Sequence, residues 1–293
     1  MKLKLLLFTF FIAVANVAAQ EDITPNQLKP VEIARITTSE TSSDFGNSIS
    51  FSSDGSVLAI GESGYGTSTR MNSGRVRVYT NNDGKWIQKG QDLIGIEDFF
   101  NTFGTKVELS SDGNTLAVYD SQITLILNAG ETIADKYGDL APQYFPYIQV
   151  YQFINDAWVK IGADFIVNDH LNLTDMSLSG DGTLIAIAGK TGTKIYELNT
   201  DTWNQIGTEI PARDHIYKEK IDLSADGKTL IIGDSHYSDS NNQNPTWEGQ
   251  AKVYKYSTNT WTQLGNTIKG TVNLGLFGSE VSITEDGTTI AVL

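Results

Sequence analysis

The sequence predicts an all-β protein, a β-propeller of four-stranded antiparallel blades. Three observations carry that reading. An Asp-Gly pair recurs five times between two short apolar runs, as in "SFSSDGSVLAIG", "ELSSDGNTLAVY", "SLSGDGTLIAIA", "DLSADGKTLIIG" and "SITEDGTTIAVL". Aligning those pairs also aligns Phe-Gly, Tyr and Trp positions around them. The glycine-rich, proline-poor composition (27 Gly, 6 Pro), with 40% hydrophobic residues, is that of a turn-rich globular β protein rather than a disordered chain.

The pairs are Asp54-Gly55, Asp112-Gly113, Asp181-Gly182, Asp226-Gly227 and Asp286-Gly287, separated by 58, 69, 45 and 60 residues. Nine residues before the Asp stand Phe45-Gly46, Phe103-Gly104 and Phe277-Gly278, with Asn172-Leu173 and Tyr217-Lys218 in the third and fourth repeats. Within a unit, the first run alternates apolar and polar residues, as Val107 and Leu109 or Ile221 and Leu223 do, which is the period of a strand. The second, such as Leu184 to Ala188, is almost continuously apolar, as in a strand covered on both faces. The third alternates again and ends on Tyr79, Tyr151, Tyr196 or Tyr254, and the fourth opens on Trp86, Trp158, Trp203 or Trp261 after Asn- and Asp-rich turns. A β-sandwich would not repeat these positions from unit to unit. "NAGETIADKYG" in the second repeat could add a turn or two of helix.

The expected organisation is a signal peptide over 1–19, a linker over 20–30 and propeller repeats over 31–293. The repeats divide into an outer strand at 31–44, units at 45–102, 103–171, 172–216 and 217–276, and a partial unit at 277–293. Lys2 and Lys4 before the apolar run from Leu5, ending in "NVAAQ", give the signal peptide; the run falls short of the roughly 20 residues that span a bilayer, and no later segment is long enough. A lone outer strand at one end and a half unit at the other imply an incomplete ring, a fragment of a longer protein.

The formal charge of -14 becomes -16 once residues 1–19 and their two lysines are removed. Nucleic acid and anionic membranes, which need a basic face, are therefore poor partners. The absence of cysteine excludes disulfides, thiolate metal sites and a cysteine nucleophile. An extracellular, cell-surface or periplasmic monomer is expected.

The combined spacing of these positions resembles the FG-GAP and WD40-like propeller repeats of exported bacterial surface proteins, over residues 31 to 293. The resemblance implies a non-catalytic scaffold for binding, adhesion or protein interaction. Integrin-type FG-GAP repeats carry a D-x-D-x-D-G calcium loop; none occurs here, and "DSNNQN" from Asp239 lacks the downstream bidentate acid, so only the general acidity leaves room for calcium and no cofactor or metal ligand is assigned.

In such a propeller the Asp-Gly turns share a face of short uniform loops. The connections between second and third strands lie on the opposite face and vary widely in length, which makes that face the expected binding surface for a protein or glycan. Its aromatic residues Tyr65, Tyr137, Tyr144, Tyr237 and Trp247 are the candidate ligand contacts, Trp247 being the one tryptophan outside the repeat register. Packing of the same rings against the rim is the competing reading. His170, His215 and His236 fall in loops without metal-ligand spacing. The sialidase Asp box, S-x-D-x-G-x-T-W, is not matched, because Gly directly follows Asp and no Trp closes the motif. The second function class is a propeller glycoside hydrolase or lyase using carboxylates on the loop-rich face, although nothing in the sequence singles out two of the 35 acids. The five Asp-Gly pairs themselves read as hairpin turns, since one catalytic carboxylate does not need five copies.

Overall fold

A computed structural model of the chain describes residues 36–37, 44–66, 73–95, 102–123, 144–166, 173–189, 191–212, 219–238 and 246–293, and every named element among them is a β-strand. The expected signal peptide, the linker and the helical turn proposed in "NAGETIADKYG" lie outside the described residues. No helix among the described residues is long and apolar enough to cross a membrane.

The strands form a four-bladed propeller in which each blade is an antiparallel meander. Blade 1 contains β1 (Phe45–Phe51), β2 (Val57–Glu62), β3 (Arg75–Asn82) and β4 (Lys85–Gln88), with β5 (Leu93–Ile94) continuing along β3. Blade 2 contains β6 (Lys106–Leu109), β7 (Thr115–Ile123), β8 (Tyr144–Ile154) and β9 (Ala157–Ile166). Blade 3 is β10 (Asp175–Leu178), β11 (Leu184–Ala188), β12 (Gly192–Asn199) and β13 (Thr202–Pro211). Blade 4 is β14 (Glu219–Leu223), β15 (Thr229–Asp234), β16 (Gln250–Ser257) and β17 (Thr260–Lys269). The hairpin of β18 (Val281–Ile283) and β19 (Ile290–Val292) begins a fifth unit.

Second strands of the four full blades are largely buried, as their apolar runs require: every residue of β2 and of β15 is buried, and all but the first of β11. The core is therefore a series of layers between blades rather than one central mass. One layer joins Val57 and Val76 of blade 1 to Phe103, Leu109 and Leu116 of blade 2; another joins Ala186 and Ile195 of blade 3 to Leu223 and Leu230 of blade 4. Burial of each Val, Leu, Ile or Phe side chain among these contributes about 1.5–3 kcal/mol.

Each Asp-Gly turn closes by one device. Asp54 Oδ1 accepts from Ser52 Oγ (2.7 Å) and from the Ser56 amide (2.9 Å), while Ser52 Oγ accepts from the Val57 amide. Asp112, Asp181, Asp226 and Asp286 repeat this with Ser110, Ser179, Ser224 and Thr284. Gly55 sits at φ 71°, in the left-handed region that glycine adopts without steric cost.

One connection differs from expectation. The segment from Asp120 to Pro146 reads as one long loop, yet β7 runs on to Ile123 and β8 starts at Tyr144, in register Ile123↔Tyr144. "SQI" and "YFP" extend the hairpin because their backbones complete the ladder beyond the repeat's usual length. Tyr144 thus lies in a strand rather than in a loop.

Candidate functional site in the central channel

The inner strands line up so that the position four residues before each Asp-Gly aspartate faces the following blade at the channel. These residues are Ser50, Glu108, Ser177, Asp222 and Ser282. Three of them do the same job, satisfying a backbone donor of the next blade: Ser50 Oγ accepts from the Leu109 amide (2.9 Å), Ser177 Oγ from Leu223 (3.0 Å) and Asp222 Oδ2 from Ile283 (2.8 Å). Asp222 also accepts from Ser177 Oγ, Ser282 Oγ and the Leu223 amide. Burial pushes the Asp222 carboxyl up, and these donors pull it partly back.

Glu108 breaks the pattern. It is half-buried, and no hydrogen bond to its carboxyl occurs among the described residues. Burial raises it well above the usual carboxylate range, the charges of Asp222 and Asp175 raise it further, and Lys106 draws it partly back. A carboxyl with this affinity for a proton and no structural partner is equipped to exchange protons with a bound molecule.

The next layer along the channel is paired. Lys106 Nζ meets Asp175 Oδ1 at 3.0 Å, and Asp175 Oδ2 accepts from the Ile221 amide. Lys220 meets Glu280 at 3.4 Å. Glu108 and Asp222 line a cavity of about 140 Å³, together with Phe51, Leu178, Ser111 and Glu285. That volume has room for on the order of ten water molecules. Backbone hydrogen bonds rim its mouth, from Ser53 to Ser111, Ser111 to Gly180, Gly180 to Ala225 and Ala225 to Glu285. Ser111 Oγ donates to Glu285 Oε1 (2.8 Å), joining blade 2 to the fifth unit.

The acids therefore converge toward the Asp-Gly end of the channel. Carboxylates were expected on the loop-rich face, where much of the second-to-third connections lies outside the described residues; among the described residues, Glu108 and Asp222 of different blades line one cavity at the Asp-Gly end. Among the described residues no group of three or more His, Asp or Glu side chains is placed to hold a metal ion.

The aromatic residues singled out in the sequence lie elsewhere. Tyr65 and Tyr237 occupy equivalent places in blades 1 and 4, each beneath a basic group: the Arg75 guanidinium lies 3.8 Å from the Tyr65 ring centroid and Lys269 Nζ 5.4 Å from that of Tyr237. Trp247 is 36% exposed and packs on His236 with ring centroids 5.3 Å apart. Tyr137, His170 and His215 lie outside the described residues.

No family model and no curated protein matches the chain. Solved structures do. The chain is similar to a periplasmic gluconolactonase from Pseudomonas aeruginosa, at 15% identity and TM-score 0.50, over 88% of this chain and 66% of that one. It is also similar to the Kuenenia stuttgartiensis hydrazine synthase (14% identity, TM-score 0.46, 84% and 70% covered) and to a putative 6-phosphogluconolactonase from Bacteroides uniformis (13%, 0.43, 84% and 77%). The chain thus spans about two thirds of the gluconolactonase. The likeness establishes the propeller fold.

It also corrects the functional expectation. The non-catalytic reading, a binding or adhesion scaffold and not an enzyme, rested on the resemblance to FG-GAP and WD40-like surface repeats and on the aromatic loops. A gluconolactonase has the same architecture, so the fold gives no ground for setting catalysis aside.

Proposed function

We propose that the chain is a hydrolase acting in its central channel on a small, oxygen-rich ring substrate of the sugar-lactone class. The observation that carries this reading is Glu108, the one inner-strand residue at its position that bonds neither the next blade nor any other described group while facing the cavity. The shared fold of the periplasmic gluconolactonase supports the substrate class. Glycosidic bond hydrolysis by paired carboxyls is the second reading, favoured by the presence of Asp222 across the same cavity.

In the lactone reading, ionised Glu108 takes a proton from water as its oxygen bonds to the substrate carbonyl carbon. The ring C–O bond then breaks, and Glu108 returns the proton to the departing ring oxygen, leaving an open hydroxy acid. A high proton affinity makes it a stronger base when ionised and a competent acid when protonated. Asp222 is a positioning residue: its bonds fix blades 3 and 4 and the fifth unit around the cavity, and its charge raises the affinity of Glu108 for a proton.

Export to the periplasm or beyond belongs to the same proposal, supported by the lysine-flanked apolar segment at the N-terminus. The repeat spacing continues to support kinship with FG-GAP and WD40-like propellers. The test is hydrolysis of a panel of aldonolactones and aryl glycosides by the wild type and by Glu108→Gln. Lactone hydrolysis lost on substitution without loss of thermal stability supports the reading, and equal rates from both proteins reject it.

A further inference from the structure

We infer that the channel site selects uncharged sugar-type substrates and rejects their phosphate esters, an inference that rests on the hydrolase reading for the reaction but not for the selection. The argument begins at the mouth of the cavity. The residues immediately before the five Asp-Gly pairs are Ser53, Ser111, Gly180, Ala225 and Glu285, so four are small and one carries a carboxylate. Glu285 is exposed, lines the cavity and accepts a hydrogen bond from Ser111 Oγ at 2.8 Å. A group passing between blade 2 and the fifth unit meets this carboxylate first.

Further in, the ionisable groups that line the cavity are also acids, Glu108 and Asp222, and among the described residues no Lys, Arg or His lines it. Lys106, one layer along the strand, is paired with Asp175 at 3.0 Å. A phosphate monoester brings a charge of roughly -1.5 to -2 at neutral pH and needs cationic or N–H donors. Four of the five amides at the mouth are already used, since those of Ser53, Ser111, Gly180 and Ala225 each donate to the neighbouring blade's carbonyl, and the fifth belongs to Glu285, whose own carboxylate stands beside it. Neutral polyhydroxylated rings suit the wall better: their hydroxyls can donate to the carboxylates and bond the Ser53 and Ser111 side chains. The unpartnered carboxyl of Glu108, aimed into this cavity, separates the arrangement from a merely acidic surface.

The experiment compares kcat/KM of the full chain for a six-carbon aldonolactone and for its 6-phosphate ester, in the wild type, Glu285→Gln and Glu285→Lys. The neutral lactone should be preferred at least about tenfold. Glu285→Lys should narrow that ratio several-fold by raising the rate on the ester, in a salt-sensitive way. Equal use of the two lactones, a preference for the ester, or a ratio unmoved by Glu285→Lys would overturn the inference. Titration calorimetry with the neutral aldonolactam and its phosphate ester separates the two proposals. If no lactone is hydrolysed but only the neutral lactam binds, hydrolysis fails and selection stands; binding of the ester, or of neither, removes the selection.

Discussion

The indole Nε1–H of Trp158, in β9, donates to the carbonyl oxygen of Lys89, just past β4 of the preceding blade, at 2.8 Å. The ring lies over Gly90, where a Cβ would come within 2.7 Å of Trp158 Cδ1. Trp203 sits over Gly162 and Trp261 over Gly207 in the same manner. The repeated Trp and the Gly four residues after it are thus two halves of one contact, between consecutive blades.

This pairing predicts unequal effects from alike substitutions. Gly207 and Gly265 have φ of 68° and 72°, but a Cβ at Gly207 meets Trp261 while one at Gly265 meets nothing within 4 Å. Both alanine variants bear the left-handed backbone cost, and Gly207→Ala adds overpacking of about 1–3 kcal/mol. Urea unfolding should rank Gly207→Ala clearly below Gly265→Ala; equal midpoints would contradict the pairing. Trp158→Ala, which empties a buried site, should cost about 3–5 kcal/mol.

Acid sensitivity should come from the Asp-Gly turns. The Ser56 amide and then the Ser52 hydroxyl hold Asp54 below its ordinary 3.8. For Asp112, Asp181 and Asp226 burial pushes upward, but the Ser hydroxyl and backbone donors outweigh it. A carboxyl lowered by folding stabilises above its unfolded value, and that contribution is lost as pH falls through the folded value. The Asp112→Asn, Asp181→Asn and Asp226→Asn triple variant, which keeps an acceptor oxygen, should lose less stability than the wild type between about pH 5 and about pH 2.5. An unchanged slope in denaturant midpoint would assign the acid sensitivity elsewhere.

Glu219 should act in the opposite direction. Burial, with the adjacent Asp234 charge, raises it from 4.5 to about 7, against partial relief from Thr193 and Lys252. The folded state therefore holds this proton more tightly than the unfolded chain. Stability is full below about 4.5, declines as pH rises toward 7 and stays reduced above, by on the order of 3 kcal/mol. Glu219→Gln should flatten that decline. Parallel stability curves for wild type and variant from about pH 5 to about pH 8 would refute the assignment.

The Glu62 carboxylate, fully buried, joins two arginines: Arg75 Nη2 lies 2.7 Å from Oε2 and Arg77 Nη2 2.7 Å from Oε1. Removing it leaves uncompensated charge inside blade 1, so Glu62→Ala should cost about 3–5 kcal/mol by thermal or urea unfolding. A loss below about 1 kcal/mol would mean that water reaches the pair.

Much of this was legible in the repeat. Asp54 and its four counterparts read as turns because five copies shared one local pattern, and the tryptophans read as blade-packing residues for the same reason. The partner of each Trp was less visible, because Gly90 and Trp158 are 68 residues apart in sequence and meet only when blades stack. The channel acids were the hardest to read. Glu108 and Asp222 belong to different units and face each other only once the inner strands curve around an axis. A signal did exist: with the repeats aligned, the position four before each Asp reads Ser, Glu, Ser, Asp, Ser, and Glu108 stands out as the longest member of that set. The aromatic loops drew attention because exposed rings suggest binding, yet Tyr65 and Tyr237 are packed beneath Arg75 and Lys269.

The central claim is that Glu108 performs the proton transfer, and the pH dependence of kcat/KM for aldonolactone hydrolysis tests it most directly. The account predicts a rate that rises through an inflection well above the ordinary carboxylate range, as Glu108 ionises, and an inflection that vanishes with the activity in Glu108→Gln. An inflection near pH 4, or one that survives the substitution, would contradict it.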